Sequence, residues 1–177
     1  MPAYAQAPSA ILETVFARIG RERFAGVPLL NPALHVEAIG FARTEAGWTG
    51  IMLTPWFMNL MILPASGTAW QPLGLGCRRR IELPAGTFEV LGGDEAEIGP
   101  YLYCPMFSTM SVFADQATAR ATAEELRRHL FSAATAPLIR RRNPTGLQWH
   151  AEPTVEDEPD GAPSQASRRR FLGGGAP

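Results

Sequence analysis

The run from Gly47 to Pro64, GWTGIMLTPWFMNLMILP, constrains this chain more than any other segment. It is nearly all apolar, and Thr54, Pro55 and Asn59 interrupt it. A proline between two apolar runs breaks a helix and removes a ladder donor, so the segment reads as strand, sharp turn, strand. Trp56, Phe57 and Met58 fall at or just after that turn. Three large apolar side chains at a bend are either buried by the rest of the domain or offered to a partner. No catalytic side chain lies inside the run, which points toward packing or recognition rather than chemistry.

The rest of the composition narrows the classes. A chain of 177 residues fits one domain with length left over for a tail, and 46% hydrophobic residues suffice for a core. The net charge of -1 gives no nucleic-acid footprint. All the basic charge is arginine, which offers planar, bidentate pairing that lysine does not. The two cysteines, Cys77 and Cys104, form no Cys-x-x-Cys pair, so a thiolate metal site or iron–sulfur cluster is not expected. Lone cysteines of this kind fit a reducing compartment. The first ten residues carry no secretory signal. The longest apolar stretch, residues 51–65, is too short to span a bilayer. A soluble, cytoplasmic protein without membrane insertion is expected.

Ser9 reads as the cap of a first helix whose apolar face is Ile11, Leu12, Val15, Phe16 and Ile19, ending near Phe24 before Gly26 and Pro28. Residues 35–41, 48–53, 57–63, 79–83, 87–91 and 98–104 read as strands. The connections are 44–47, a loop over 65–76 that holds Trp70, Pro84-Ala85-Gly86, and Gly92-Gly93-Asp94-Glu95. Tyr101 and Tyr103 share a strand face. Asp115 caps a second helix with Ala119, Ala123, Leu126 and Leu130 buried and a Glu124–Arg128 pair outside. The fold class is therefore α+β: one antiparallel sheet of about six strands bracketed by an N-terminal and a C-terminal helix. Residues 1–8 read as a flexible N-terminus, 9–131 as the domain, and 132–177 as a flexible tail. That tail holds Arg140-Arg141-Arg142, an acidic run over 156–160, and Ser167-Arg168-Arg169-Arg170-Phe171-Leu172.

Chemical constellations are sparse. His35, His129 and His150 have no partner at ligand spacing, and no nucleophile elbow, phosphate loop or dinucleotide fingerprint appears. Cys104 lies at a strand end beside Pro105, and the sequence nominates no base for it. Glu82, Asp94, Glu95 and Glu97 surround one expected hairpin; they read as a solvated turn or as a docking patch for arginines. The terminal Ser-Arg-Arg-x-Phe-Leu matches the core of a twin-arginine export signal, at the wrong end to act as one.

The segment from Trp48 to Pro64 resembles the signature of the HybE/HupJ/HoxT family of [NiFe]-hydrogenase assembly chaperones. Pro28-Leu-Leu-Asn-Pro-Ala-Leu34, Leu83-Pro-Ala-Gly-Thr-Phe88 and Ile98-Gly-Pro-Tyr-Leu-Tyr-Cys-Pro-Met-Phe-Ser108 agree in order and spacing, over roughly residues 10–131. Some members of the family carry a rubredoxin-like domain with paired Cys-x-x-Cys motifs. This chain lacks those motifs, so neither iron nor another cofactor is carried over. The resemblance implies a non-enzymatic protein that holds the small-subunit precursor of an uptake hydrogenase, whose leader is a twin-arginine signal, until assembly is complete. Other maturation proteins are possible partners, and no catalytic residues are implied.

Residue chemistry and resemblance together nominate a partner-binding site. Pro55, Trp56, Phe57, Met58, Asn59, Tyr101, Tyr103 and Met106 supply its apolar part, and Asp94, Glu95 and Glu97 its carboxylates. The tail residues Ser167, Arg168, Arg169, Phe171 and Leu172 read as a tethered pseudo-ligand for the same site. At an effective concentration on the order of 1 mM, a motif binding at about 10 µM fills its site about 99% of the time. Two rival classes stand beside this reading. One is a small-molecule binder or enzyme that uses residues 56–58 and Cys104. The other is a nucleic-acid binder that uses the arginine triplets, against which the balancing acidic residues argue.

Overall fold

The β2–β3 hairpin sits in the middle of the sheet, and its apolar sequence follows from that position. The computed structural model describes residues 3–28 and 30–132. Strands β1 (Glu37–Thr44), β2 (Gly47–Leu53), β3 (Met58–Leu63), β4 (Arg78–Leu83), β5 (Gly86–Glu95) and β6 (Gly99–Phe107) form one antiparallel sheet in the order β1-β2-β3-β6-β5-β4. Every residue of β3 is buried. A strand covered on both faces reads as a continuous apolar run rather than an alternating one. Pairing of Leu53 with Met58 and of Ile51 with Leu60 sets the register. It sends Ile51, Leu53, Met58 and Leu60 into one core and Met52, Met61 and Leu63 into the other.

Each core has its own helix. Helix α1 (Ser9–Arg23) lays Leu12, Val15, Phe16 and Ile19 on one face. Helix α2 (Gln116–Leu130) lays Ala119, Ala123 and Leu130 on the other. Asp115 caps α2 as expected, accepting from the Thr118 amide at 2.7 Å. A patch of Ile62, Val90 and Leu102 lies under Trp70 and Leu73 of the β3–β4 loop. The described residues thus hold a complete sheet and both cores.

Several expectations need correction. Ser9 is the first helical residue; Pro8 holds the cap position, its carbonyl accepting from the Leu12 amide, with no side-chain cap. Ile11 is 37% exposed and lies off the buried face. Residues 3–8, expected to be flexible, are tied to the sheet. The Tyr4 amide donates to the Pro64 carbonyl, its hydroxyl donates to the Ile98 carbonyl at 2.9 Å, and its own carbonyl accepts from the Trp48 indole. Glu124 pairs with Arg120, which also reaches Glu37 at 2.9 Å, while Arg128 pairs with Glu125. Gly92 and Gly93 are not a turn but lie within β5. A Cβ on Gly92 would stand 2.5 Å from the Leu73 carbonyl oxygen, and one on Gly93 would stand 2.5 Å from the Tyr101 ring. These glycines permit close approach from both sides of the strand, and the turn falls after Glu95. Strand β6 runs on through Pro105, where its register with β3 shifts between Met58 and Asn59.

The turn between β2 and β3 is held by Thr54, which is wholly buried. Its hydroxyl accepts from the amides of Trp56 (3.3 Å) and Phe57 (2.9 Å) and donates to the Phe57 carbonyl at 3.0 Å. Thr54→Val keeps the shape and removes these bonds. It should cost about 1–3 kcal/mol in urea unfolding, while Thr54→Ser should recover most of the loss. Equal stability of the valine variant and wild type would reject this role.

Cys104 faces the α2 side. Burial, and secondarily the charge of Glu89, push its thiol from 9.0 up to about 11. A raised folded value means that the stability from the neutral thiol is complete below pH 9.0 and drains as pH rises toward about 11. Wild type should therefore lose about 2 kcal/mol more than Cys104→Ala between pH 8 and pH 10.5. Parallel losses in the two proteins would contradict this.

Candidate functional site

The Thr54 turn points Trp56 and Phe57 to the α1 side of the sheet, and they join an aromatic row. Phe24, at the C-terminal cap of α1, stacks on Trp56 with centroids 4.8 Å apart and planes 18° apart. Trp56 meets Phe57 edge-on at 5.7 Å. Phe57 meets Phe16 at 5.7 Å, and Phe16 meets Tyr101 at 6.5 Å. Tyr103 continues the row 6.1 Å from Tyr101. Trp56, Phe57, Tyr101 and Tyr103 are each partly buried, while Phe16 at the centre of the row is 4% exposed, so the row is a shelf that meets solvent on either side of a ring covered by α1. Edge and offset contacts of this kind suit aromatic rings. Gly20 of α1 makes room for Trp56: a Cβ there would lie 2.9 Å from the indole ring.

One end of the shelf is acidic. Tyr101 lies over Gly93, and Glu95 follows on the same face of β5 by strand alternation. Arg23 donates to both carboxylate oxygens of Glu95, at 2.7 and 3.1 Å. Arg18 reaches Glu97 at 2.8 Å. Asp94 is exposed, and alternation turns it to the other face of β5. Burial, followed by the Glu95 charge, pushes the Tyr101 phenol up to about 12, so it stays a neutral hydrogen-bonding group.

Asn59 occupies the middle of the same sheet face, opposite Met52 and Pro105. It is 7% exposed, and its buried Oδ1 accepts no hydrogen bond. A buried acceptor left unpaired is costly, and few such groups occur in a folded domain. The amide sits beside the β6 bulge at Pro105, where the ladder opens.

The structure brings Trp56, Phe57, Asn59, Tyr101, Tyr103 and Glu95 to one face, with Glu97 at its rim and Pro55 in the turn. It does not bring Met58 and Met106 there: both pack in the α2-side core, Met58 fully buried. Cys104 lies in that core too, across the sheet from Trp56, so the two do not form a common pocket. A cleft of about 180 Å³ beside Trp70 contains neither of them. Among the described residues no group of His, Cys, Asp and Glu is arranged to hold a metal ion. The tail residues Ser167, Arg168, Arg169, Phe171 and Leu172 lie outside the described residues. Sequence reasoning missed Phe16, Arg18, Arg23 and Phe24. The only available signal was the sequence Arg23-Phe24 at the end of α1, and it does not say which sheet face that helix crosses.

Comparison with known proteins gives this geometry a context. A family model described as "[NiFe]-hydrogenase assembly, chaperone, HybE" matches residues 7–174. Protein HoxT of Cupriavidus necator is 42% identical, with 72% of this chain and 77% of that protein covered. Hydrogenase expression/formation protein HupJ of Bradyrhizobium diazoefficiens is 40% identical, with 76% and 78% covered. The solution structure of HybE from Escherichia coli has the same fold, with a TM-score of 0.62 at 21% identity over 91% of this chain and 96% of that one. An apolar hairpin that carries an aromatic shelf, on a fold shared with HybE and in a sequence matched nearly end to end, makes this chain a member of the HybE family of [NiFe]-hydrogenase assembly chaperones.

Proposed function

We propose that the chain holds the small-subunit precursor of a [NiFe]-hydrogenase during assembly, and that it grips the twin-arginine leader on the aromatic shelf. The observation that carries this reading is the two-pronged Arg23–Glu95 pair. The acidic end of the shelf accepts a guanidinium in the geometry that suits arginine and not lysine. A leader's arginine pair would meet Glu95 and, at the rim, Glu97, while Asp94, on the other face of β5, would add only charge nearby. Its Phe-Leu would lie against Trp56, Phe57, Tyr101 and Tyr103, where aromatic faces also favour a passing cation. Pro55 fixes the turn, and Met58 and Met106 support β3 and β6 from the other core. Nothing in this arrangement asks the chain to break a bond, which is consistent with holding rather than turnover. A leader still attached is met before export, so this work would fall in the cytoplasm.

A fluorescent peptide carrying Ser-Arg-Arg-x-Phe-Leu, and its Lys-Lys counterpart, test the reading by anisotropy. The arginine peptide should bind more tightly. In an Arg23→Gln background, which leaves the Glu95 carboxylate free for the ligand, Glu95→Gln should weaken it about tenfold, because a charge-assisted bond worth about 1.5–3 kcal/mol is lost. Trp56→Ala should weaken both peptides. Indifference of binding to Glu95 and to the arginine pair would remove leader recognition at this shelf.

The pseudo-ligand reading of Ser167, Arg168, Arg169, Phe171 and Leu172 has its own outcome. If the tail occupies the shelf, a chain ending at Ala136 should bind the peptide about 100-fold more tightly than the full chain. Equal affinities would exclude self-occupancy by the tail and leave leader binding intact.

A further inference from the structure

In the free protein, Arg23, the last residue of α1, and its cap Phe24 occupy the acidic end and the outermost aromatic of the shelf. Arg23 takes both oxygens of Glu95, and Phe24 stacks on Trp56. A twin-arginine leader would bring the same two contacts: a guanidinium on a carboxylate and a phenyl ring on an aromatic. We infer that the last turn of α1, through Arg23 and Phe24, is an intramolecular placeholder for the arginine and phenylalanine of the bound precursor, and that binding displaces it. This inference rests on the leader-binding reading above and adds the regulation of that site.

Three features support displacement over a fixed structural pair. The first is the asymmetry of the ion pair: the Glu95 side chain is 16% exposed and that of Arg23 is 57% exposed. The carboxylate is the buried member and needs a cation in either state, whereas the arginine stands mostly in water and can return to it at little cost. The second is that the contacts are separable from the core. Ile19, on the inner face of α1, is buried, and Asn31 is locked by the carbonyls of Met110 and Phe113, which accept from its side-chain amide, and by its backbone amide, which donates to the Pro55 carbonyl. Movement can therefore be confined to the chain between these two anchors. The third is the glycine content of that interval. Gly26 sits at φ 76° with nothing near its missing Cβ, and Gly20 lies directly beneath Trp56. Glycine in a helix interior costs about 1 kcal/mol against alanine and loosens the turn that carries it. An unfilled shelf would also expose a row of aromatics and leave a half-buried carboxylate unpaired. The placeholder removes both liabilities while no partner is present.

A placeholder that is closed about 90% of the time weakens apparent ligand affinity about tenfold. The probe is a labelled peptide with the sequence of residues 165–174, Gln-Ala-Ser-Arg-Arg-Arg-Phe-Leu-Gly-Gly, and a control with Arg168 and Arg169 replaced by lysine. Affinities are read by anisotropy for wild type, Arg23→Gln, Arg23→Lys and Phe24→Leu, each as the full chain and as the chain ending at Ala136. The shorter chain removes competition by the tail and keeps the complete sheet and both cores. In the shorter chain, Arg23→Gln and Phe24→Leu should bind about fivefold to tenfold more tightly than wild type, with Arg23→Lys between. Thermal melts close to wild type confirm that the variants fold. Binding by Arg23→Gln where wild type shows none would support the placeholder most strongly. Wild-type binding with equal or weaker binding by the folded variants would overturn it and leave the leader reading standing. Failure of every form to bind would overturn the leader reading and the placeholder together.

Discussion

Because β2 and β3 are buried on both faces, neither side of the sheet centre can be left to water, and each needs its own cover. This requirement organises the molecule. Helix α1 closes one face and α2 the other, and the loop carrying Trp70 and Leu73 finishes the α2 side. Burying a leucine, isoleucine or methionine side chain is worth about 1.5–3 kcal/mol, so a hairpin with so many of them fixes the register of everything packed on it. The register depends in turn on the Thr54 turn: a slip of one residue would send each core set to the opposite face. The same turn aims Trp56 and Phe57 toward α1. The stability of the fold and the position of the shelf therefore share one local device.

The parts legible in the sequence are those that local chemistry decides. The apolar run broken by Thr54-Pro55, the Asp115 cap and the Pro84-Ala85-Gly86 turn each carry their own signal, and each stands where it was expected. The errors occur where a distant group overrides the local one. Ser9 looks like a cap, but the segment before it is pulled onto the sheet by Tyr4, and the chain enters the helix through Pro8. Gly92 and Gly93 look like a turn, but the Leu73 carbonyl and the Tyr101 ring need their bareness. The candidate site divides in the same way. Tyr101 and Tyr103 share a face by simple alternation, and Trp56 and Phe57 belong to the turn. Met58 and Met106 fall to the other core because alternation carries them across the sheet. The arginines that meet Glu95 and Glu97 come from α1, and their pairing depends on the direction in which α1 crosses the sheet, which no local pattern encodes.

The electrostatics favour arginine as the cation at the shelf. This chain contains no lysine, so every internal guanidinium–carboxylate pair can use two prongs. Glu95 sits where water is partly excluded by Tyr101, and the same exclusion that raises the phenol's affinity for its proton strengthens any cation held at the carboxylate. Such a site is expensive to leave unpaired and discriminating when filled. A planar fork fits it, and a hydrated ammonium would have to shed more water for fewer bonds.

A chaperone that holds an incompletely assembled partner must bind well enough to protect it and weakly enough to release it. A rigid, fully open aromatic shelf would meet the first requirement and fail the second, and it would invite self-association while empty. A site already filled by a short segment of its own chain changes the balance. Partner binding becomes an exchange in which the buried carboxylate and the tryptophan keep equivalent contacts throughout. The net affinity is then set by what the partner adds beyond the Arg23 and Phe24 contacts. Return of α1 to the shelf speeds release once those additional contacts are lost, because the competing group is tethered a few residues away and does not have to diffuse in.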